Sequence, residues 1–587
     1  MEIRIDELTF QIHYEDSKWQ VELETEKVEA GVDLLHIKFH AETPAVPPET
    51  EITWRIPNLD IQTKWSPAAG VHKNLPPDWN STQSSDLADS APVMAFLNLQ
   101  GENRMTAAVA EAMRFVQLSG GVNEEENMLS CKVRLFSQPE SPLSEYKTSI
   151  RLDRRPLFYA DAIREVSCWF EGFEEYTPAA VPDAALKSIY STWYSYHQNL
   201  FDKELESECA LAAEAGLSGV IVDDGWQTDD NHRKYAFCGD WKVAERRFPD
   251  MKGHVKKIHE RGMKYILWYA VPYMGCQSAN FERFKGKYLF YSERARAGVL
   301  DPRFPEVREY LINIYETAVK EWDLDGFKLD FIDRFCFDGV DPAIAENYAG
   351  RDIKCLPLAV NKLLSDVMSR LKALKTEILI EFRQPYIGPA IRKYGNMFRA
   401  GDCPADILMN RTRTADLRLF SGDTAIHSDM LEWHMEESAE IAARQILNVL
   451  FSVPQISIRF AQLPESHRKM LRFWLDFMEQ HSAVLLKGRF MPYHPEMNYP
   501  LIAVENEEER VIALYQSDMV VKVSANTKTL FIINGSEKSE VILDVEKIPA
   551  QVKLCSTCGE DMPTPVLQEG LNRTAIPCSG MMTIHFL

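Results

Sequence analysis

The sequence predicts an α/β chain: a central (β/α)8 barrel flanked by an N-terminal β-sandwich and a small C-terminal all-β domain. Three observations carry that expectation. Eight short apolar runs alternate with amphipathic helical stretches between about residues 184 and 485. Period-two alternation fills the chain before them and returns after them. The length, 587 residues, suits a barrel with flanking domains. Hydrophobic residues make up 45% and charged residues 26%, an ordinary globular balance that excludes disorder for most of the chain.

Residues 1–183 form the predicted sandwich domain. Runs such as 19–25, 35–40, 131–136 and 149–152 alternate polar and apolar residues between polar turns, as strands with one buried face do. One long loop, 64–86, holds several Pro and Ser and two Trp. A polar loop has no need of Trp65 or Trp79. Contact with a partner surface and packing within the loop are the two readings open to them.

The predicted barrel covers 184–485. Its apolar runs lie at 189–194, 220–223, 265–269, 327–331, 378–382, 397–400, 424–427 and 455–459. Helix-like segments lie between them, at 203–215, Pro305–Trp322, 358–374, 436–450 and 465–479. Eight strands alternating with helices is the count of a closed parallel barrel. Residues 486–587 return to alternation, with runs such as 501–504, 510–515, 529–533 and 541–545, and form the closing all-β domain.

The net charge of −22 argues against nucleic acid as a partner, because such proteins need basic stripes to displace counterions. The start, MEIRIDELTF, lacks the basic and apolar parts of a secretory leader. The longest mostly apolar stretch, 446–458, is too short to span a bilayer, so no membrane partner is expected. The eleven cysteines are scattered and read as reduced thiols, which implies the cytoplasm.

Barrel chemistry sits where the strands end. Five of the eight runs end in polar or acidic residues: Asp223 and Asp224, then Lys328 with Asp330, Glu381 with Arg383, Arg399 with Asp402, and His427 with Asp429. Helix N-caps would account for one or two of these aspartates, but not for Lys328 two positions before Asp330 on one face of a strand. Two carboxylates with a sugar between them make a glycosidase. Lys328 favours an ionised Asp330, which suits a nucleophile. Cys403 and Pro404 beside Asp402 suggest a weakly polar setting that raises its pKa and suits a general acid. Asp223 and Asp224 would bind vicinal hydroxyls. Trp193, Trp226, Trp268 and Tyr269 lie at or beyond strand ends, where an aromatic face can stack on a pyranose or simply pack the core.

These residues resemble glycoside hydrolase family 36, which contains α-galactosidases and the plant raffinose and stachyose synthases. The resemblance runs through DDGWQTDDNHRKYAFCGDWKVAERRFP at 223–249, then Gly262-Met263-Lys264 to Trp268, then the Lys-x-Asp of Lys328 and Asp330. It implies a retaining α-glycosidase without a cofactor or metal, acting on an oligosaccharide or glycoside, in a family whose members often form homo-oligomers. It implies Asp330 as nucleophile and Asp402 as acid/base, with Asp223, Asp224, Lys328 and Trp268 around the sugar. Because family sandwiches send an aromatic loop towards the site, it adds Trp65 as a contact.

The chain also departs from the family. The usual Lys-Trp-Asp-x-Asn is Lys328-Leu329-Asp330-Phe331-Ile332 here, and the usual Trp-Phe-Glu-Pro-Glu is Trp268-Tyr269-Ala270-Val271-Pro272. The usual Cys-Ser-Gly-Gly-Gly is replaced by Glu381-Phe382-Arg383-Gln384, which puts Arg383 among the candidate substrate contacts. Arg399-Ala400-Gly401-Asp402 is similar to the plant-type Arg-Ala-Ser-Asp.

Rival readings are weaker. The 14 histidines offer no His-x-His at a strand end for a metal hydrolase. Cys555-x-x-Cys558 with Cys578 lacks a fourth zinc ligand. A non-catalytic sugar-binding protein would lack one of the two carboxylates, and both are present. A transglycosylase differs only in its acceptor.

Overall fold

The structure, a computed structural model, describes residues 1–138, 140–343 and 349–586. Two six-stranded sheets form the N-terminal sandwich. Met128–Leu135 shows why they form: Leu129, Cys131, Val133 and Leu135 turn inward while the residues between them face out. Phe10 and Trp54 meet in the core with ring centroids 5.4 Å apart.

The strand Val93–Leu97 (VMAFL) breaks the alternation because both its faces are covered. Met94 and Phe96 join the sandwich core, whereas Val93, Ala95 and Leu97 join the barrel's cluster. The second sheet is therefore a shared wall between sandwich and barrel. The helix Tyr159–Glu171 continues that junction, with Phe170 set edge-on to Phe420 at 6.0 Å.

The barrel is closed and parallel, and its strands in order are Ile189–Ser191, Gly219–Val222, Lys264–Ala270, Gly326–Asp330, Leu379–Arg383, Met397–Arg399, Ala425–Leu431 and Val453–Ile456. All eight predicted runs are borne out as strands, although several bounds move. The first strand stops at Ser191, and Trp193–Tyr196 forms a helical turn above it. Inward-facing side chains recur every second residue. Ile189, Ile221, Ile266, Leu379, Met397 and Ala425 close the floor. One step up lie Asp223, Trp268, Glu381 and Arg399, and the fifth strand then carries Arg383 to the mouth. Five of the eight strands, the second and the fourth to seventh, thus carry charged residues to the rim.

The C-terminal region is all β, with one seven-stranded and one three-stranded sheet. A further three-stranded antiparallel sheet, of Tyr273–Gly275, Tyr288–Ser292 and Ala297–Leu300, fills the connection after the third barrel strand. Among the described residues, no helix is long and apolar enough to cross a membrane.

Candidate active site

The second and fourth strands build the floor of the site. Lys328 Nζ donates to Asp223 Oδ2 at 2.6 Å, with both side chains 4% exposed. Burial pulls the Lys328 ammonium down, but Asp223 beside it outweighs that and carries it above its ordinary range. Asp224 takes Gln198 Nε2 on one oxygen and Gln227 Nε2 on the other, each at 2.7 Å. Burial, with Asp223 adjacent, pushes the Asp224 carboxyl up to about 7 despite those amides.

Asp330 is buried and fully engaged. Trp268 Nε1 donates to Oδ2 at 2.9 Å. Oδ1 accepts from Arg383 Nε at 2.7 Å, the Phe331 amide at 2.8 Å and Tyr386 Oη at 3.3 Å. Phe331 adopts a left-handed φ of 66°, which folds its amide back over the carboxylate. Burial alone would raise the carboxyl, but Arg383, Lys328 and the indole outweigh it and hold Asp330 well below the usual carboxylate range.

Asp402 stands differently. Its side chain is 58% exposed and accepts from Arg399 Nη2 at 2.9 Å. The expectation of a raised pKa is overturned: burial and Asp330 push the carboxyl up, but Arg399 and Lys328 outweigh them, and it sits below its ordinary value. Cys403 and Pro404 do not set its environment, because a guanidinium three residues back does. Water screens that pairing at so open a position. Arg413 Nη1 holds the loop from behind, donating to the carbonyls of Gly401 and Asp402 at 2.8 Å each.

Arg399 itself is buried between Asp402 and Asp429, with Glu381 Oε1 at 3.7 Å. Asp429 Oδ2 also accepts from Tyr194 Oη at 2.7 Å and the Cys403 amide at 2.6 Å. Asp429 thereby ties the first, sixth and seventh strands together. His427 does not join them: its Nε2 lies 2.8 Å from the Ala185 carbonyl, and burial pulls it down to about 4, so it stays neutral.

Asp223, Asp224, Trp268, Lys328, Asp330, Arg383 and Asp402 are therefore brought together. Arg383 arrives as a partner of the Asp330 carboxylate. Trp193 is half-buried at the rim, edge-on to His197 at 4.9 Å, with the Arg233 guanidinium 5.4 Å from its ring centre. Trp226 and Trp65 are placed elsewhere. Trp226 has no exposed surface; it donates to the Trp268 carbonyl and packs on Trp241 and Trp322. Trp65 is equally buried and gives its indole N–H to Asp416 at 2.9 Å, where Lys73 and Tyr499 also converge. Packing, not sugar contact, accounts for both.

Sequence reasoning missed Tyr194, Gln198, Gln227 and Tyr386. Gln227 was open to detection, since it directly follows Asp-Asp-Gly-Trp. A sandwich segment was missed too: the Ser90 amide donates to the Pro385 carbonyl at 2.7 Å, and burial with Asp333 nearby pushes the Asp89 carboxyl up to about 6.

Residues 186–381 match the melibiase family model. Over 154 residues, 24% of this chain, the sequence is 30% identical to the α-galactosidase Mel36A of Lactobacillus acidophilus. Over 150 residues it is 25% identical to the α-galactosidase AgaA of Geobacillus stearothermophilus. The chain spans 20% of the length of each of those relatives in these matches. In fold the likeness is far wider. The family 36 AgaA structure in complex with raffinose superposes with a TM-score of 0.68 at 13% identity, covering 99% of this chain and 83% of that one. The matched segment is thus similar to the melibiase model over the first five barrel strands, and the whole chain shares its fold with the family 36 α-galactosidase AgaA.

Proposed function

We propose that the protein is a retaining α-glycosidase, acting as an α-galactosidase that releases terminal α-linked galactose from oligosaccharides by double displacement. The observation that carries this reading is the contrast between a buried, strongly ionised Asp330 and an open Asp402 close enough to feel its charge. Asp330 attacks the anomeric carbon while Asp402, in the fraction of enzyme whose carboxyl carries a proton, gives that proton to the departing oxygen. Asp223, held by Lys328, and Asp224 accept hydrogen bonds from sugar hydroxyls. Trp268 and Arg383 fix the nucleophile, and Trp193 offers a ring face at the rim.

The charges also support the change of role between the two steps. The Asp330 charge pushes the Asp402 carboxyl up. Once Asp330 is esterified that charge is gone, so the Asp402 carboxyl falls and becomes the base for the incoming water. The names of the relatives and the raffinose complex of AgaA support galactose as the released sugar.

A second reading, α-galactosyl transfer to an acceptor sugar, rests on the plant-type Arg399-Ala400-Gly401-Asp402 segment. A cytoplasmic setting is supported by eleven cysteines, all of them free thiols. Homo-oligomerisation is carried by the family resemblance.

The test is a panel of p-nitrophenyl α-glycosides of galactose, N-acetylgalactosamine and glucose, followed by raffinose and by galactinol plus sucrose. Galactoside cleavage with α-galactose as the first product in proton NMR is expected. Inactivity on every α-galactoside, or β-galactose first, would overturn it. Raffinose formed from galactinol and sucrose would select the second reading.

A further inference from the structure

Trp79 remains unexplained by the barrel. It lies on a short helical turn, Asp78–Asn80, and is 68% exposed. A solvent-facing indole on a loose loop would need no comment. This turn is not loose. Lys64, only 8% exposed, donates its ammonium to the Ser81 carbonyl at 2.7 Å. Burial pulls that ammonium down to about 8, so holding the turn this way carries an electrostatic cost. The Val122 amide donates to the Pro76 carbonyl at 2.9 Å, and Ser81 Oγ donates to the Asp78 carbonyl at 2.8 Å. Gly121 lets the loop lie flat, since a Cβ there would come within 2.6 Å of the Pro77 carbonyl oxygen. The fold fixes the turn that presents this exposed indole.

That indole borders a groove of about 1020 Å³ on the outer face of the first sandwich sheet. A row of hydrogen-bonding side chains crosses five strands in register. Gln11 pairs with Thr53, Thr53 with Lys132, Lys132 with Ser119, and Ser119 with Thr82. At ~4.8 Å between strands the row is ~19 Å long, room for several sugar rings. The charges along the groove balance, with Glu7, Glu51 and Asp78 against Arg55, Lys132 and Arg134. In a chain of net charge −22, a locally neutral face suits neither a polyanion nor a polycation.

We propose that this face is a non-catalytic binding surface for a neutral, galactose-bearing oligosaccharide or polysaccharide chain, with Trp79 as its stacking platform. An indole face covers the apolar side of a pyranose, while amides, hydroxyls and an ammonium at strand spacing bond the hydroxyls along the chain. The site goes beyond the proposed reaction and lies on a different domain.

Native electrophoresis of the full chain through gels containing galactomannan tests it. The wild type should be retarded, and saturating free galactose, which competes only in the barrel, should leave the retardation in place. Trp79→Ala should bind roughly 2–10-fold more weakly, and Ser119→Trp, which fills the groove, should do the same. Both variants should hydrolyse p-nitrophenyl galactoside as the wild type does. A wild type that is not retarded, retardation abolished by galactose, or a Trp79→Ala protein that migrates like the wild type overturns the proposal. So does a wild-type dimer that Trp79→Ala converts to monomer, which would mark the face as a self-association surface.

Discussion

The ends of barrel strands four and six each present an aspartate, and the protein treats them in opposite ways. Asp330 is buried under four donors: an indole, a guanidinium, a phenol and a backbone amide. Asp402 exposes most of its side chain and has a single guanidinium partner. One carboxylate is held by its donors, and the charges around it favour its ionised form. The other is open to water and balanced between Arg399, which lowers it, and Asp330, which raises it. A group that forms and breaks a bond to carbon gains from fixed geometry. A group that exchanges protons must stay near water and must change its affinity for the proton between steps.

The largest test of this contrast is Asp330→Ala. Without a nucleophile no glycosyl-enzyme forms, so natural and activated substrates should fail alike, by on the order of 10⁴–10⁶-fold in kcat. Residual turnover that favours p-nitrophenyl galactoside would show that Asp330 is not the attacking group. Asp402→Ala should separate the substrates instead. Acid catalysis is worth roughly 10²–10⁴-fold where the leaving oxygen needs a proton. Raffinose should show that full loss, and a dinitrophenyl galactoside much less in the first step. Azide should then restore turnover and give a galactosyl azide of retained configuration. Equal losses on both substrates with no azide effect would move the role to another carboxylate. Asp406 is a poor heir, because it caps the helix Ile407–Phe420 by accepting from the Met409 amide. Asp429, bonded to Arg399 and Tyr194, would be the stronger candidate.

A smaller effect should follow from Arg383→Met. A hydrogen bond to a charged group contributes about 1.5–3 kcal/mol, or roughly 10–150-fold in kcat/KM. The pH dependence gives the sharper readout. As the proposed nucleophile, Asp330 works ionised, so activity should fall as pH drops through its pKa. Arg383 is the foremost charge holding that pKa far down, and its loss should move the acid limb of kcat/KM to higher pH. An acid limb that stays in place would show that Arg383 binds substrate without tuning Asp330.

Much of this was legible in the sequence, for physical reasons that differ by element. Barrel strands are covered on both faces, so they read as short unbroken apolar runs, and the charged residues ending them stood out. Pro305–Trp322 was legible because its apolar residues keep helical spacing. The helix Ile407–Phe420 was not, since it buries the polar Asn410, Arg411, Thr412, Thr414 and Asp416 and shows no apolar stripe. The Asp402 environment was not legible, because the group that sets it, Arg399, is its neighbour in space while Cys403 and Pro404 are only its neighbours in sequence. Arg399 reaches Asp402 only because the sixth strand points its side chain up the barrel. Trp226 was misplaced for the opposite reason: the turn after the second strand swings it outward beneath the helix Pro305–Trp322.

Trp65 supplies the smallest expected effect on activity and a direct test of that lesson. The resemblance to the family put it at the sugar, whereas the fold seals it against Asp416 with Lys73 and Tyr499. Trp65→Phe keeps most of the buried ring and removes one donor from a buried carboxyl. The cost should be about 1–3 kcal/mol of stability, seen as a lower thermal or denaturant midpoint, with kcat/KM on raffinose unchanged within about twofold. Because the residues meeting at Asp416 come from the sandwich loop, a barrel helix and the C-terminal region, the loss should loosen the junction between regions rather than the mouth of the barrel. A variant with an unchanged midpoint and a markedly higher KM would return Trp65 to the substrate site. That result would also mean that the loop 64–86 moves when sugar binds, because in this fold the Trp65 indole has no surface left to offer.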